Sequence, residues 1–356
     1  MRSTNQHYIT KSYLNNFCHP SIGQHALYPY RKNGGACKPR GTKQLGSAID
    51  FYVQRINGEL NNQLDEMREI SERLLFCKDK SHPSPLTKCV KDTEKSFVPD
   101  DEAKEHFAGA AAFLHCGSPV QVHNSAMTGL WAMQVEIFNR INAPETLEFY
   151  KERFGDAAEA QRDKDRKELL AGELVIDVGN ENHKQLGFES FQYQELWMDF
   201  MCAMSLTIMH SHHFFITSDN PVILFSRSKK GIDNVGLKMR DAEIWFPISW
   251  NKGLLWRWGK HPTHHQTGYS ENCVLNRREI DGCYKFVYSP LQSDWLEKTS
   301  HQTNFNPLIG YYGCLNNFFS HAKPCYDAQT GELLDGEIIE VFAALKHANK
   351  PDILGI

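Results

Sequence analysis

The sequence predicts an α+β fold in which strands at both ends of the chain form a shared sheet around a large helical middle segment. Three observations carry this expectation. Aromatic and β-branched runs separated by short turns occupy residues 1–57 and return after about residue 212. Between them, residues 58–210 place apolar side chains every three or four positions, the period of one helix face. Strands and helices do not alternate, so a doubly wound parallel sheet is not expected.

The first strand is expected from His25 to Tyr30, followed by a tight turn at Asn33-Gly34, where Asn-Gly accommodates positive φ. A second strand is expected from Ala48 to Ile56, rich in aromatic and β-branched residues. Leu60, Leu64, Met67, Ile70 and Leu74 then mark one apolar helix face. Pro83, Pro85 and Pro99 make residues 79–99 a loop. Asp100, Asp101 and Glu102 suit a helix start, and Ser118-Pro119 resembles an N-cap followed by a first-turn proline. Residues Lys151 to Glu173 read as a solvated helix of mixed charge, and Glu189 to His210 as a long apolar helix. Strands are expected at 212–217, 221–225, 243–249, 252–258 and 283–289. The domain reading is one α+β domain over residues 1–290, with 58–210 a mainly helical insertion. Residues 291–356 are a C-terminal extension packed on it.

At 356 residues, with 41% hydrophobic and 23% charged side chains, the chain can bury a core without metal or disulfide support. Its ten cysteines include no C-x-x-C pair and read as reduced thiols. Nothing resembles a membrane span or signal-peptide core, so a cytoplasmic protein with no membrane partner is expected. Walker, G-x-G-x-x-G, G-x-S-x-G and H-E-x-x-H motifs are absent, which excludes common NTPases, dinucleotide enzymes, α/β-hydrolases and zincins. Charge is uneven. Residues 1–49 contain no Asp or Glu but carry Arg2, Lys11, Arg31, Lys32, Lys38, Arg40 and Lys43. Such a segment can face a polyanion, or its cations can pair with acids elsewhere in the fold.

Three stretches carry a resemblance. Gln6-His7-Tyr8 is followed by Tyr13-Leu14 and Phe17, and then by Asp50-Phe51-Tyr52. The sharpest stretch is Phe215-Ile216-Thr217-Ser218-Asp219-Asn220-Pro221-Val222, followed by Phe246-Pro247-Ile248-Ser249, Asn276 and Tyr288. In this order they resemble the bacterial domain-of-unknown-function family numbered 4238, over residues 5 to about 290. The resemblance implies a fold neighbourhood rather than an activity. Two places depart from the pattern. Cys116-Gly117-Ser118-Pro119 stands where that family often has an Arg-Thr-Pro-like element, and Asn61 and Arg68 fall near positions that are often acidic.

His7 has the side chain suited to general acid or base work near neutral pH. Asp219, in the turn Ser218-Asp219-Asn220-Pro221 between two strands, reads either as a turn-forming Asx residue or as a metal ligand or general base. His210 and His212 would share one face of an extended segment and could offer imidazole ligands. His261, His264 and His265 read as exposed loop residues. The favoured functional reading is a metal-assisted phosphodiester hydrolase acting on nucleic acid. His7 and Asp219 would be catalytic, with Asp219 also binding a divalent metal ion (Mg or Mn). Gln6, Tyr8, Arg31, Lys32, Lys38, Arg40, Asn220 and Asn276 would bind substrate. The alternative is a non-catalytic nucleic-acid- or protein-binding module, with Tyr8, Tyr28, Tyr30 and Trp245 available to stack bases.

Overall fold

The computed structural model describes residues 5–22, 25–32, 38–49, 51–52, 54–56, 59–61, 63–76, 83–170, 188–228 and 235–302. The expected Asn33-Gly34 turn, Asp50 and the extension beyond residue 302 lie outside them. The chain divides into two compact units, Met1–Val122 with Phe188–Pro307, and His123–Gly187 with Leu308–Gly355. No helix among the described residues is long and apolar enough to cross a membrane.

In chain order, the first unit opens with β1 (Asn5–His7), α1 (Lys11–Asn15), β2 (Ala26–Arg31), β3 (Arg40–Gly41), β4 (Ser47–Ile49), β5 (Gln54–Ile56) and β6 (Glu59–Asn61). Helices α2 (Gln63–Phe76), α3 (Pro85–Lys91), α4 (Asp101–Cys116) and α5 (Pro119–Asn142) follow. The second unit contains most of α5, with α6 (Pro144–Phe154) and α7 (Ala158–Leu170). The chain then returns through α8 (Gln194–Ala203), β7 (Ser205–His210), β8 (Thr217–Ser218), β9 (Ile223–Ser226), β10 (Ala242–Ser249), β11 (Lys252–Arg257) and β12 (His264–Gln266). It closes with α9 (Tyr269–Gly282), β13 (Phe286–Ser289) and α10 (Asp294–Gln302).

Among the described residues the strands do not merge into one shared sheet. They divide into a five-stranded sheet ordered β12-β7-β11-β10-β9, a four-stranded sheet ordered β3-β2-β13-β8, and two separate pairs, β1-β4 and β5-β6. Strands from the two ends of the chain meet in the four-stranded sheet, where Phe286 lies opposite Arg31 and Ser289 opposite Tyr28.

All eight residues of β10 are buried, including Glu243, and it is hydrogen-bonded on both sides. Trp245 crosses to the neighbouring strand and lies over Gly253, where an added Cβ would fall 2.0 Å from the indole. Only glycine leaves that space. Replacing Gly253 by alanine is therefore expected to displace Trp245 and cost about 1–3 kcal/mol, the usual penalty for overpacking a core. Urea unfolding monitored by tryptophan fluorescence measures it.

Tyr13 ties the N-terminal segment to both larger sheets. Its helix α1 is capped by Thr10, whose hydroxyl accepts from the Tyr13 N–H at 3.2 Å. The phenol donates to the Pro247 carbonyl at 2.7 Å and lies 2.7 Å from the Thr217 hydroxyl. Its ring stacks on Phe246 at 5.5 Å.

Local competition explains where the sequence expectations fail. Residues 79–99 are not one loop: Ser84 caps α3, with Pro85 in the first turn, where a missing N–H costs nothing. The buried Lys252 ammonium closes the other end of α3, donating to the carbonyls of Cys89, Val90 and Asp92. The strand expected over 48–56 breaks at Phe51-Tyr52, because both rings turn inward and are buried. The long helix expected over 189–210 ends at Ala203, and the β-branched and apolar run after it becomes β7. The charged helix expected over 151–173 is interrupted at Gly155, whose φ of 54° suits glycine. His264 and His265 are in strand β12 rather than a loop. Of the strand expected over 212–217, only Thr217 pairs, together with Ser218 just beyond it.

Within the second unit, Phe138, Ile141 and Leu169 form a small core, and Tyr150 donates its phenol to Asp165 at 2.6 Å.

Candidate functional site

The turn after β8 is built around Asp219. Its Oδ1 accepts the N–H of Tyr284 at 2.6 Å, and Oδ2 accepts those of Lys285 at 2.6 Å and Phe286 at 2.8 Å. The Asp219 N–H returns the contact by donating to the Phe286 carbonyl at 3.0 Å. The carboxyl thus clamps the α9–β13 connection onto β8. Only 1% of the residue is exposed. Burial pushes its pKa up to about 6, against the three amide hydrogens and the Lys32 charge, which favour the ionised form.

Asn220 donates through Nδ2 to the Gly282 carbonyl at 2.9 Å, while its Oδ1 is sealed from solvent without a hydrogen-bond partner. Ser218 Oγ lies 2.8 Å from the Asn220 carbonyl oxygen and 2.8 Å from Glu279 Oε2. A hydroxyl carries one hydrogen, and a backbone carbonyl can only accept. Both contacts form at once if the Glu279 carboxyl is neutral and donates to Ser218. Burial, reinforced by the charge of Asp219, raises the Glu279 pKa well above the carboxylate range. Glu279→Gln should therefore change stability by less than about 1 kcal/mol at pH 7, because the amide can donate as the acid does. Glu279→Ala should cost about 1–3 kcal/mol by stranding Ser218. Chemical denaturation of the two variants measures the difference.

Tyr8 connects this turn to the N-terminal motif. The Tyr8 and Tyr288 phenols are hydrogen-bonded to each other, and both feel the charge of Asp219. Burial, the largest effect on each, keeps them protonated. Gln6 accepts the Tyr52 N–H at 2.6 Å, and its buried Nε2 has no partner. His7 is half-buried; burial lowers its pKa, the adjoining backbone of Leu45 and Ile9 opposes that, and the charges of Lys11 and Arg68 add to it. Arg68 is buried between the rings of Tyr52 and Phe113, 4.3 and 4.4 Å from their centroids, and donates to the Tyr8 carbonyl at 2.7 Å. A Cβ on Gly117 would fall 2.3 Å from its Nη1, so the glycine makes room for the guanidinium.

The structure therefore gathers Tyr8, Asp219 and Asn220 with Tyr288 and Glu279, and links them to Gln6 through the N-terminal segment. Asn276 and Lys32, two other expected site residues, are committed to the fold. Asn276 accepts the Ile216 N–H at 3.1 Å and donates to Phe214 O and Asn272 Oδ1, so its amide holds backbone. Lys32 is buried and donates to the carbonyls of Asp281 and Cys283, a correction to its expected place on a substrate surface. Arg31, Lys38, Arg40 and Lys43 are exposed. Among the expected stacking residues, Tyr8, Tyr30 and Trp245 are buried, and Tyr28 is partly open.

Three amide hydrogens occupy three of the roughly four lone-pair sites of the Asp219 carboxylate. Among the described residues, no group of three His, Cys, Asp or Glu side chains could hold a metal ion. His210 does not face His212: it meets His264, with Nε2 and Nδ1 3.0 Å apart, while His212 and His213 are exposed. Burial, followed by the Lys252 and His264 charges, pushes the His210 pKa down to about 4.

Sequence reasoning missed Arg68, Glu279 and the structural use of Asn276. One signal for the latter two was present. Asn272, Asn276 and Glu279 recur at helical spacing, and all three are buried on α9.

Comparison with known proteins identifies a family. A family model described as "Protein of unknown function (DUF4238)" matches residues 5–293. No curated protein and no solved structure matches the chain.

Proposed function

Since the chain belongs to the DUF4238 family, whose description carries no activity, we propose from its own surface that it binds nucleic acid along the edge of the four-stranded sheet. The observation that carries this reading is a set of four exposed cations, Arg31, Lys38, Arg40 and Lys43, on and around edge strand β3 and the end of β2. The competing use for them is ion pairing with the acidic remainder. None of the four forms an ion pair among the described residues. Arg31 lies over the partly open Phe286 ring, 5.8 Å from its centroid, which sets an aromatic face beside the cations. Cations that hold phosphates beside a ring that stacks bases are the parts of a single-strand site.

A second reading, phosphodiester hydrolysis, is favoured by one observation. Polar atoms of the motif residues, Gln6 Nε2 and Asn220 Oδ1, are buried without partners among the described residues, and orphaned polar groups of this kind can accompany a catalytic site. In that reading His7 and Asp219 remain the catalytic pair, and the buried Asp219 clamp supplies a proton acceptor near neutral pH.

Fluorescence anisotropy with labelled single- and double-stranded oligonucleotides tests the binding reading. Saturable binding that weakens steeply with salt supports it, and no binding at low salt defeats it. The same oligonucleotides incubated with magnesium, manganese or chelator test cleavage. Binding without cleavage under any condition leaves the first reading and removes the second.

A further inference from the structure

A cleft of about 490 Å³ opens beside the five-stranded sheet, away from the motif cluster, lined by Arg227, Ser228, Arg240, Asp241, Trp258 and His261. The cleft is shallow and open to solvent, so a small ligand would lie against its lining rather than be enclosed. The lining is chemically divided. Arg227 is held by Glu243, with Nε and Nη2 2.9 and 2.6 Å from the same carboxylate oxygen. Arg240 is exposed and makes no ion pair among the described residues. Trp258 is fixed in place: its indole N–H donates to the Leu237 carbonyl at 2.9 Å, and Phe200 meets it edge-on at 6.4 Å. The ring is nevertheless only partly buried and lines the cleft. His261 is fixed by Nε2 against the Trp258 carbonyl at 3.0 Å, which leaves Nδ1 as the nitrogen that can accept. The hydroxyls of Ser226 and Ser228 and the Ser228 N–H all turn to Oδ2 of Asp241.

Guanidinium groups, a carboxylate and an indole in one cleft fit a ligand that carries an oxyanion, a hydroxyl donor and a flat ring together. The geometry points to a mononucleotide site, in which Trp258 stacks the base, Asp241 accepts from the ribose hydroxyls, and Arg240 with Arg227 holds the phosphate. Each pairing uses ordinary chemistry. Arginine binds phosphate by a planar fork of donors, an acidic side chain recognises a ribose diol, and aromatic–base stacking is favourable and tolerant of base identity. The carboxylate also explains why a bare anion is a poorer fit: it would meet Asp241 with no hydroxyl to satisfy it. The site shares no lining residue with the sheet edge proposed to bind nucleic acid.

Isothermal titration of the full chain with adenosine 5′-monophosphate tests the inference, with adenosine, inorganic phosphate and 2′,3′-dideoxyadenosine monophosphate as comparison ligands. Saturable binding with Kd below ~1 mM is expected for the monophosphate. Each comparison ligand should bind about tenfold or more weakly, as should the monophosphate to Arg240→Ala and to Trp258→Leu. Arg240 is exposed, so its variant keeps the fold even if loss of Trp258 disturbs packing. Lys38→Gln/Arg40→Gln/Lys43→Gln should bind the monophosphate as the wild type does, which separates this site from the polyanion surface. No saturable binding up to about 5 mM overturns the inference. So does affinity unchanged in Arg240→Ala, or inorganic phosphate binding as tightly as the nucleotide.

Discussion

Replacing Asp219 by alanine is expected to cost about 3–6 kcal/mol, because it leaves the part-buried N–H groups of Tyr284, Lys285 and Phe286 without their acceptor, each worth about 1–2 kcal/mol. That is a large fraction of a typical total stability of about 5–15 kcal/mol. Activity measured on this variant alone would therefore confuse unfolding with chemistry. The pH dependence isolates the carboxyl itself. Its pKa in the fold, about 6, stands above its ordinary value of 3.8. The ionised form is thus the one the fold disfavours. The stabilising contribution is fully present below pH of about 3.9 and is lost as pH rises through about 6. Wild-type protein should consequently gain stability from this group between pH 7.5 and 5, opposite to the usual acid trend of carboxylates. Urea denaturation at both pH values, on wild type and Asp219→Asn, measures it. A wild-type gain that persists undiminished in the Asn variant would assign the effect to another group.

The triple change Lys38→Gln, Arg40→Gln and Lys43→Gln is expected to leave stability nearly unchanged and to remove most nucleic-acid affinity. All three side chains are exposed, so no buried contact is lost. Each cation that neutralises a phosphate contributes about 0.9 to the slope of log K against log salt on duplex DNA, and about 0.7 on single strands. Losing three should flatten the slope by about two to three units and weaken binding at least about 100-fold at 50 mM salt. Anisotropy over a salt series gives both numbers. If slope and affinity match the wild type, the binding surface lies elsewhere.

What could be read from the residues follows the range of the interactions involved. Helix starts at Asp100 and Pro119 were legible because caps act within one turn: Asp100 accepts the Ala103 N–H at 2.9 Å, and Ser118 that of Gln121 at 3.3 Å. The strands around Ile244, Leu254 and Val287 were legible as apolar, β-branched runs. Partner choice was not legible. That β2 pairs β13, more than 250 residues later, depends on closing a very long loop, which leaves no local mark. The end of the helix at Ala203 was hidden because apolar helix and buried strand share a composition. In the site, the Ser218–Pro221 turn was readable as turn chemistry, but its local bond comes from Ser218, whose Oγ accepts the Asn220 N–H at 3.2 Å, while Asp219 and Asn220 bond distant backbone rather than forming the expected Asx turn. The partners of Asp219, three backbone amides at 284–286, have no side-chain signature. Lys32 looked like one more surface cation because its burial is set by carbonyls about 250 residues away.

Ultraviolet cross-linking of a bromouridine-substituted single-stranded oligonucleotide to the full chain, followed by mass spectrometry of the linked peptides, tests the central claim most directly. The account predicts cross-links concentrated on the peptides that carry Tyr28 and Phe286, beside Arg31 and the Lys38–Lys43 edge, and suppressed by the triple change. Cross-links that map instead to the second unit or to the Trp258 cleft, with the sheet-edge peptides unmarked, would contradict it.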